Sequence, residues 1–91
     1  EAIEQKLSPI ITDRFIISSL PDPRLGEILI LIIETEDSEQ YRDKQFKARM
    51  KAQLTPYEVP KIFLFLKKFP IVGHDKPARK TITREALAQF S

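Results

Sequence analysis

Lys76, Arg79 and Lys80 form the basic group best placed to do chemistry, just after the one histidine, His74, and its neighbour Asp75. Lys76 stands between Asp75 and Pro77 in a stretch that Gly73 and Pro77 keep irregular. Its ammonium is therefore carried on a flexible stem away from packed elements. Such a cation can bridge two anionic oxygens, for instance those of a carboxylate and a phosphate that must react. It would neutralise charge that otherwise repels. Spacing alone favours the plainer alternative of a solvated surface lysine, as most exposed lysines are. His74 reads as a solvated loop residue, since a histidine titrating near neutrality needs partners to become functional. The sequence has no cysteine nucleophile, no Ser/His/Asp set, no metal-ligand spacing and no glycine-rich phosphate loop, so the chain by itself runs no reaction.

The elements that must present this group can be read from pattern. Ala2, Ile3 and Leu7 have helical spacing within residues 1–7, and Pro9 stops that helix. Phe15, Ile16 and Ile17 predict a short strand. Residues 21–27, Pro-Asp-Pro-Arg-Leu-Gly-Glu, are turn chemistry: two prolines fix φ and Gly26 permits φ > 0. Residues 28–33 are apolar at every position, as in a strand covered on both faces. A single helix is predicted next, capped by Asp37 with Gln40 completing a capping box. Phe46, Met50 and Leu54 form its apolar stripe. Ile62 to Leu66 predicts a third strand, with Lys67 and Lys68 returning to solvent. Residues 69–80 are expected as a loop, and a final helix is expected to be capped by Thr83 with Ile82 and Leu87 as a hydrophobic staple. The class is α+β: a small three-stranded sheet with packed helices.

Ninety-one residues allow one domain, 1–91, which buries roughly 60–65% of the surface of its unfolded chain. That suffices for a core but hardly for an enclosed active site. With 42% hydrophobic and 31% charged residues the chain is globular in composition, and Cys 0 excludes a disulfide scaffold. No apolar run reaches the roughly 20 residues of a membrane helix. A net charge of +2 argues weakly for nucleic acid or a membrane surface. A start at Glu1 without a targeting pattern leads us to expect a fragment, and the lack of cysteine permits a cytoplasmic location.

Four segments in order carry a resemblance. Residues 20–27, Leu-Pro-Asp-Pro-Arg-Leu-Gly-Glu, resemble the V-P-D-P-x-x-G-E signature in the C-terminal domain of adenylate-forming enzymes, the superfamily of acyl-CoA synthetases, peptide-synthetase adenylation domains and luciferases. Residues 1–4, Glu-Ala-Ile-Glu, are similar to the E-E-I-E opening of that domain. Residues 54–61, Leu-Thr-Pro-Tyr-Glu-Val-Pro-Lys, resemble L-x-x-Y-x-V-P-K. Phe69-Pro70 matches L-P, and the family's G-K-x-x-R falls on Lys76 and Arg79. Three positions depart from the pattern: Asp75 replaces the glycine, Val72 the threonine and Pro77 the common isoleucine.

The resemblance implies the C-terminal lid domain of an ATP-dependent ligase, with the N-terminal domain and hinge absent from these residues. In such enzymes a carboxylate attacks the α-phosphate of ATP, assisted by Mg²⁺, to give acyl-adenylate and pyrophosphate. A thiol, CoA or a carrier phosphopantetheine, then displaces AMP. The lid uses different faces in the two steps. It implies Lys76 as the catalytic cation of adenylation and Arg79 and Lys80 as phosphate-binding residues, with Arg79 alternatively supporting the loop. The partners implied are the enzyme's own N-terminal domain, ATP or acyl-adenylate, and CoA. Within the family, overall resemblance alone extends the reading to an aryl or succinylbenzoate acid, the 2-succinylbenzoate-CoA ligase of menaquinone biosynthesis. Lys67 and Lys68 are alternatively attractors of CoA phosphates or a solvated strand end.

Two other classes remain open at this point. A nucleic-acid-binding α+β domain of the KH type requires a Gly-x-x-Gly loop between helices, whereas Gly26 and Gly73 are the only glycines. A structural module whose loop has lost its chemistry is the other, suggested by Asp75.

Overall fold

A computed structural model describes residues 2–70 and 79–90. Strands β1 (Phe15–Asp22), β2 (Gly26–Glu34) and β3 (Ile62–Leu66) form one mixed sheet in the order β1-β2-β3. β1 runs antiparallel to β2, and β3 runs parallel to it. Helices α1 (Ala2–Leu7), α2 (Glu39–Arg42) and α3 (Lys44–Gln53) cover one face, and α4 (Arg79–Phe90) covers the other.

The unbroken apolar run of β2 follows from this layering. Side chains alternate across a strand, so a central strand with helices on both faces has no position for a polar residue. Leu31 and Ile33 join Leu7, Tyr41, Phe46 and Met50 on the α1–α3 side. Ile30 and Ile32 join Leu64, Leu66, Ile82 and Ala86 beneath α4. The expected α+β class and the strand over Ile62–Leu66 are therefore present as read.

Three boundaries differ from expectation. β1 continues past Ile17 to Asp22, through Ser18, Ser19 and Pro21, because antiparallel pairing to β2 outweighs their weak strand preference. Pro21 is tolerated because β1 is an edge strand. The turn consequently narrows to residues 23–25. Asp22 Oδ2 accepts from the Leu25 N–H at 3.2 Å, and Gly26 closes the hairpin at φ +85°, a conformation that side chains disfavour.

The expected single helix is two. Asp43 adopts an extended conformation and its carboxylate accepts from the Gln45 N–H at 3.3 Å, so it ends α2 and caps α3. The break serves the core. At 3.6 residues per turn, Tyr41 in a continuous helix would lie about 140° around the axis from Phe46. With the break, both rings enter one cluster, 5.1 Å apart and edge to face, and the Tyr41 hydroxyl donates to Asp13 Oδ2 at 2.8 Å. The Asp37–Gln40 capping box does not form. Asp37 instead accepts from the Glu39 N–H at 3.2 Å, and Ser38 occupies the cap position of α2.

The final helix starts at Arg79 rather than after Thr83, which places Arg79 and Lys80 on a helix instead of a loop. Both are good helix formers, and the Ile82–Ala86 spacing already fits the buried stripe. Thr83 is an internal residue whose hydroxyl donates to the Arg79 carbonyl at 2.8 Å. Ile82 and Leu87 both lie within α4 and pack into the cluster between it and the sheet, so they form no staple across its start.

Candidate functional site

The first turn of α4 meets the outer edge of β1, and Arg79 makes the junction. Ile17 pairs with Leu31 across the hairpin. Its N–H and C=O face outward, where an edge strand usually leaves them to solvent. Here Glu4 Oε2 accepts from the Ile17 N–H at 2.8 Å, and Arg79 Nη1 donates to the Ile17 carbonyl. The circuit closes with Arg79 Nη1 at 2.9 Å from Glu4 Oε2. Two side chains from opposite ends of the chain thus stand where a fourth strand would pair.

Burial pushes the Glu4 carboxyl upward. The hydrogen bond from Arg79, the Ile17 N–H and the guanidinium charge together outweigh that and hold it below the usual carboxylate range. A carboxyl whose folded value lies below its unfolded value adds stability at pH above about 4.5, the unfolded reference, and loses that contribution as pH falls through the folded value. Glu4→Gln keeps an acceptor for Ile17 and removes the charge. The difference in Tm between wild type and Glu4→Gln is therefore expected to be largest near pH 7 and to shrink toward pH 3. A difference constant across that range would contradict the assignment.

Arg79 separates two open grooves. One, of about 390 Å³, is lined by Ser18, Ser19, Lys80, Thr83 and Arg84. The other, of about 280 Å³, lies over Ile3, Ser19, Glu27 and Leu29. Lys80 is exposed and lines the first groove together with Arg84 and the β1 residues Ser18 and Ser19. That combination of cations and hydroxyls suits phosphate oxygens.

Lys76 lies outside the described residues, as do His74 and Asp75; Lys76 precedes the first residue of α4 by three positions. Of the three expected site residues the structure thus brings Arg79 and Lys80 together on one helix turn, with Arg79 already engaged by Glu4. Glu4 carried no role in the sequence reading. Its signal was only membership of the similar opening segment, since nothing local marks a partner 75 positions away. Among the described residues no group of three or more His, Cys, Asp or Glu is placed to hold a metal ion. The donor set here does not fit a Mg²⁺ site, and no step is assigned through one.

The other motif segments make contacts within the fold. Within residues 54–61, Glu58 accepts from the Thr55 N–H at 2.9 Å and from Lys6 Nζ at 2.9 Å, tying α1 to the α3–β3 connection. The Lys6 ammonium and the Thr55 N–H hold the Glu58 carboxyl below its ordinary range. The Lys61 N–H donates to the Leu29 carbonyl at 3.0 Å and starts the parallel pairing of β3. The Pro21–Glu27 segment is a hairpin turn, as its chemistry indicates.

Comparison with known proteins gives a consistent set. No family model matches the chain. The fold is similar to an acyl-CoA synthetase (AMP-forming)/AMP-acid ligase II-like protein from Dyadobacter fermentans, with TM-score 0.77 and 26% identity over 93% of this chain and 24% of that one. It is similar in fold to an acyl-CoA synthetase from Brucella canis, with TM-score 0.70 and 17% identity over 98% of this chain and 17% of that one. It is also similar in fold to the amide bond synthetase McbA from Marinactinospora thermotolerans, with TM-score 0.67 and 22% identity over 91% of this chain and 17% of that one. The chain therefore spans about a quarter of the length of the first neighbour and about a sixth of the other two. The architecture matches the C-terminal domain of acyl-CoA synthetase-like enzymes, and the neighbours support the AMP-forming ligase superfamily. They do not favour a nucleic-acid-binding domain of the KH type.

Proposed function

We propose that this chain is the C-terminal lid domain of an ATP-dependent acid–thiol ligase. The observation that carries the reading is the fold likeness to an AMP-forming ligase over 93% of the chain. Four motif segments in the family's order support it. In this reading a carboxylate oxygen attacks the α-phosphorus of ATP and pyrophosphate leaves. The sulfur of CoA or a carrier phosphopantetheine then attacks the acyl carbon, and AMP leaves. The larger N-terminal domain holds the nucleotide and acid, and this domain closes over them. Lys76 neutralises the approaching carboxylate and phosphate. Arg79 anchors the end of the Lys76 segment through Glu4 and Ile17, and Lys80 offers a cation to nucleotide phosphate at the α4–β1 groove. The proposed location is the cytoplasm, supported by the lack of cysteine. No described helix is long and apolar enough to cross a membrane.

The test is ATP–pyrophosphate exchange by the full-length protein that contains this chain, with a panel of carboxylic acids. Acid-dependent exchange is expected, with neither this domain nor the N-terminal portion active alone and their mixture releasing pyrophosphate. Absence of exchange with every acid would overturn the reading. Within it, the acid we propose is an aryl or succinylbenzoate acid of the menaquinone branch, supported by overall sequence resemblance. Exchange with aliphatic acids alone would overturn that part and leave the ligase standing.

A further inference from the structure

At the carboxyl ends of β2 and β3 lies a second basic cleft, whose cations have no role in the two ligase steps as proposed. β2 and β3 are parallel neighbours, and the chain leaving β2 goes to α2 and α3 on one face, whereas the chain leaving β3 goes to α4 on the other. Adjacent parallel strands whose connections part in this way open a crevice at their carboxyl ends, where α/β sheets bind ligands. The Thr35 N–H donates to the Leu66 carbonyl at 2.8 Å and forms the floor of the crevice. The cavity measures about 540 Å³ and is lined by Thr35, Glu36, Ser38, Arg42, Lys67 and Lys68. Three cations thus face one carboxylate.

Arg42 is held in place before any ligand arrives. Its Nε donates to Ser38 Oγ at 3.2 Å and its guanidinium lies 5.0 Å over the Phe65 ring. Nη1 and Nη2 make no hydrogen bond to the described residues, and neither Lys67 nor Lys68 forms an ion pair among them. A pre-oriented guanidinium beside two ammonium groups and the Ser38 hydroxyl matches the oxygens of a phosphate group.

We propose that this cleft binds a diphosphate-type anion, through Arg42, Lys67 and Lys68. The proposal stands on the geometry of the cleft; of the two alternatives for Lys67 and Lys68, phosphate attraction or a solvated strand end, it takes the first. It is tested by NMR titration of this chain at low ionic strength with pyrophosphate and with ADP. Saturable shifts are expected at the amides of residues 35–42, 67 and 68. Lys67→Ala/Lys68→Ala is expected to weaken binding about 10-fold or more, because charge-assisted bonds are lost. Lys44→Ala/Lys51→Ala, which removes equal charge from exposed positions of α3, should leave binding unchanged. Tighter binding of ADP identifies a nucleotide as the source, and equal binding identifies the diphosphate group alone. The proposal is overturned if no saturable shift occurs there, if sodium chloride at matched ionic strength reproduces it, or if the two double variants weaken binding equally. All four lysines are exposed, and an unchanged Tm confirms that the variants remain folded.

Discussion

Lys76→Ala in the full-length protein is expected, on the proposed ligase reading, to slow acyl-adenylate formation about 10²–10³-fold, the usual cost of removing one preorganised charge-stabilising donor. The reason is electrostatic. Carboxylate and triphosphate are both anionic, and charge on the phosphate oxygens grows as the new bond forms. A cation held between them is worth more in the transition state than in the ground state, so the loss falls on kcat more than on KM. The second half-reaction provides the internal control. Thioester formation from supplied acyl-adenylate should proceed at the wild-type rate, because the reading assigns that step to another face of the domain. Adenylation that survives the substitution would remove Lys76 from the role. Equal loss in both steps would point to a folding or docking defect. Asp75 gives a companion measurement: if it holds the ammonium back by pairing, Asp75→Gly raises the adenylation rate.

Leu31→Ala is expected to destabilise the domain by roughly 3–5 kcal/mol, the upper range for a leucine deleted from a close-packed core. Leu31 is fully buried at the centre of β2, with Ile17 opposite on β1 and Phe63 opposite on β3. Its side chain lies on the face covered by α1, α2 and α3. Strands flank the site on both sides and helices close it above, so neighbours cannot collapse into the space without moving the sheet. In a domain of this size each kcal/mol shifts Tm by about 4–8 °C, so a loss well above 10 °C should appear in thermal unfolding. Leu25→Ala at the hairpin tip, where the side chain is 60% exposed, should change stability by no more than about 0.5 kcal/mol. A Leu31 effect near 1 kcal/mol would mean that the core relaxes far more than its packing suggests.

Features that depend on near neighbours were legible. The apolar run of β2 signals a strand with two covered faces, because alternation disappears only when no face meets water. The proline and glycine chemistry of residues 21–27 locates the hairpin, since those constraints act within a few residues. The Phe46–Met50 spacing marks the buried side of α3. Boundaries were less legible where packing overrides local preference. Ser18, Ser19 and Pro21 read as a turn approach yet pair along β2. The helix that looked continuous breaks at Asp43, because only then do Tyr41 and Phe46 share a core.

The candidate site divides along the same line. By itself the sequence determined which residue types are present and their order along the chain: a lysine, an arginine three positions on, and flanking segments that resemble an adenylate-forming lid. The tertiary structure decided what Arg79 touches. Glu4 lies 75 positions away, and no periodicity or turn rule reaches that far. The two meet because α1 and the first turn of α4, packed on opposite faces, both reach the open edge of β1, where the Ile17 N–H and carbonyl need partners. The cleft of Arg42, Lys67 and Lys68 arises in the same way. Twenty-five positions separate Arg42 from Lys67, and they share a cavity because two parallel strands send their connections to opposite sides of one sheet.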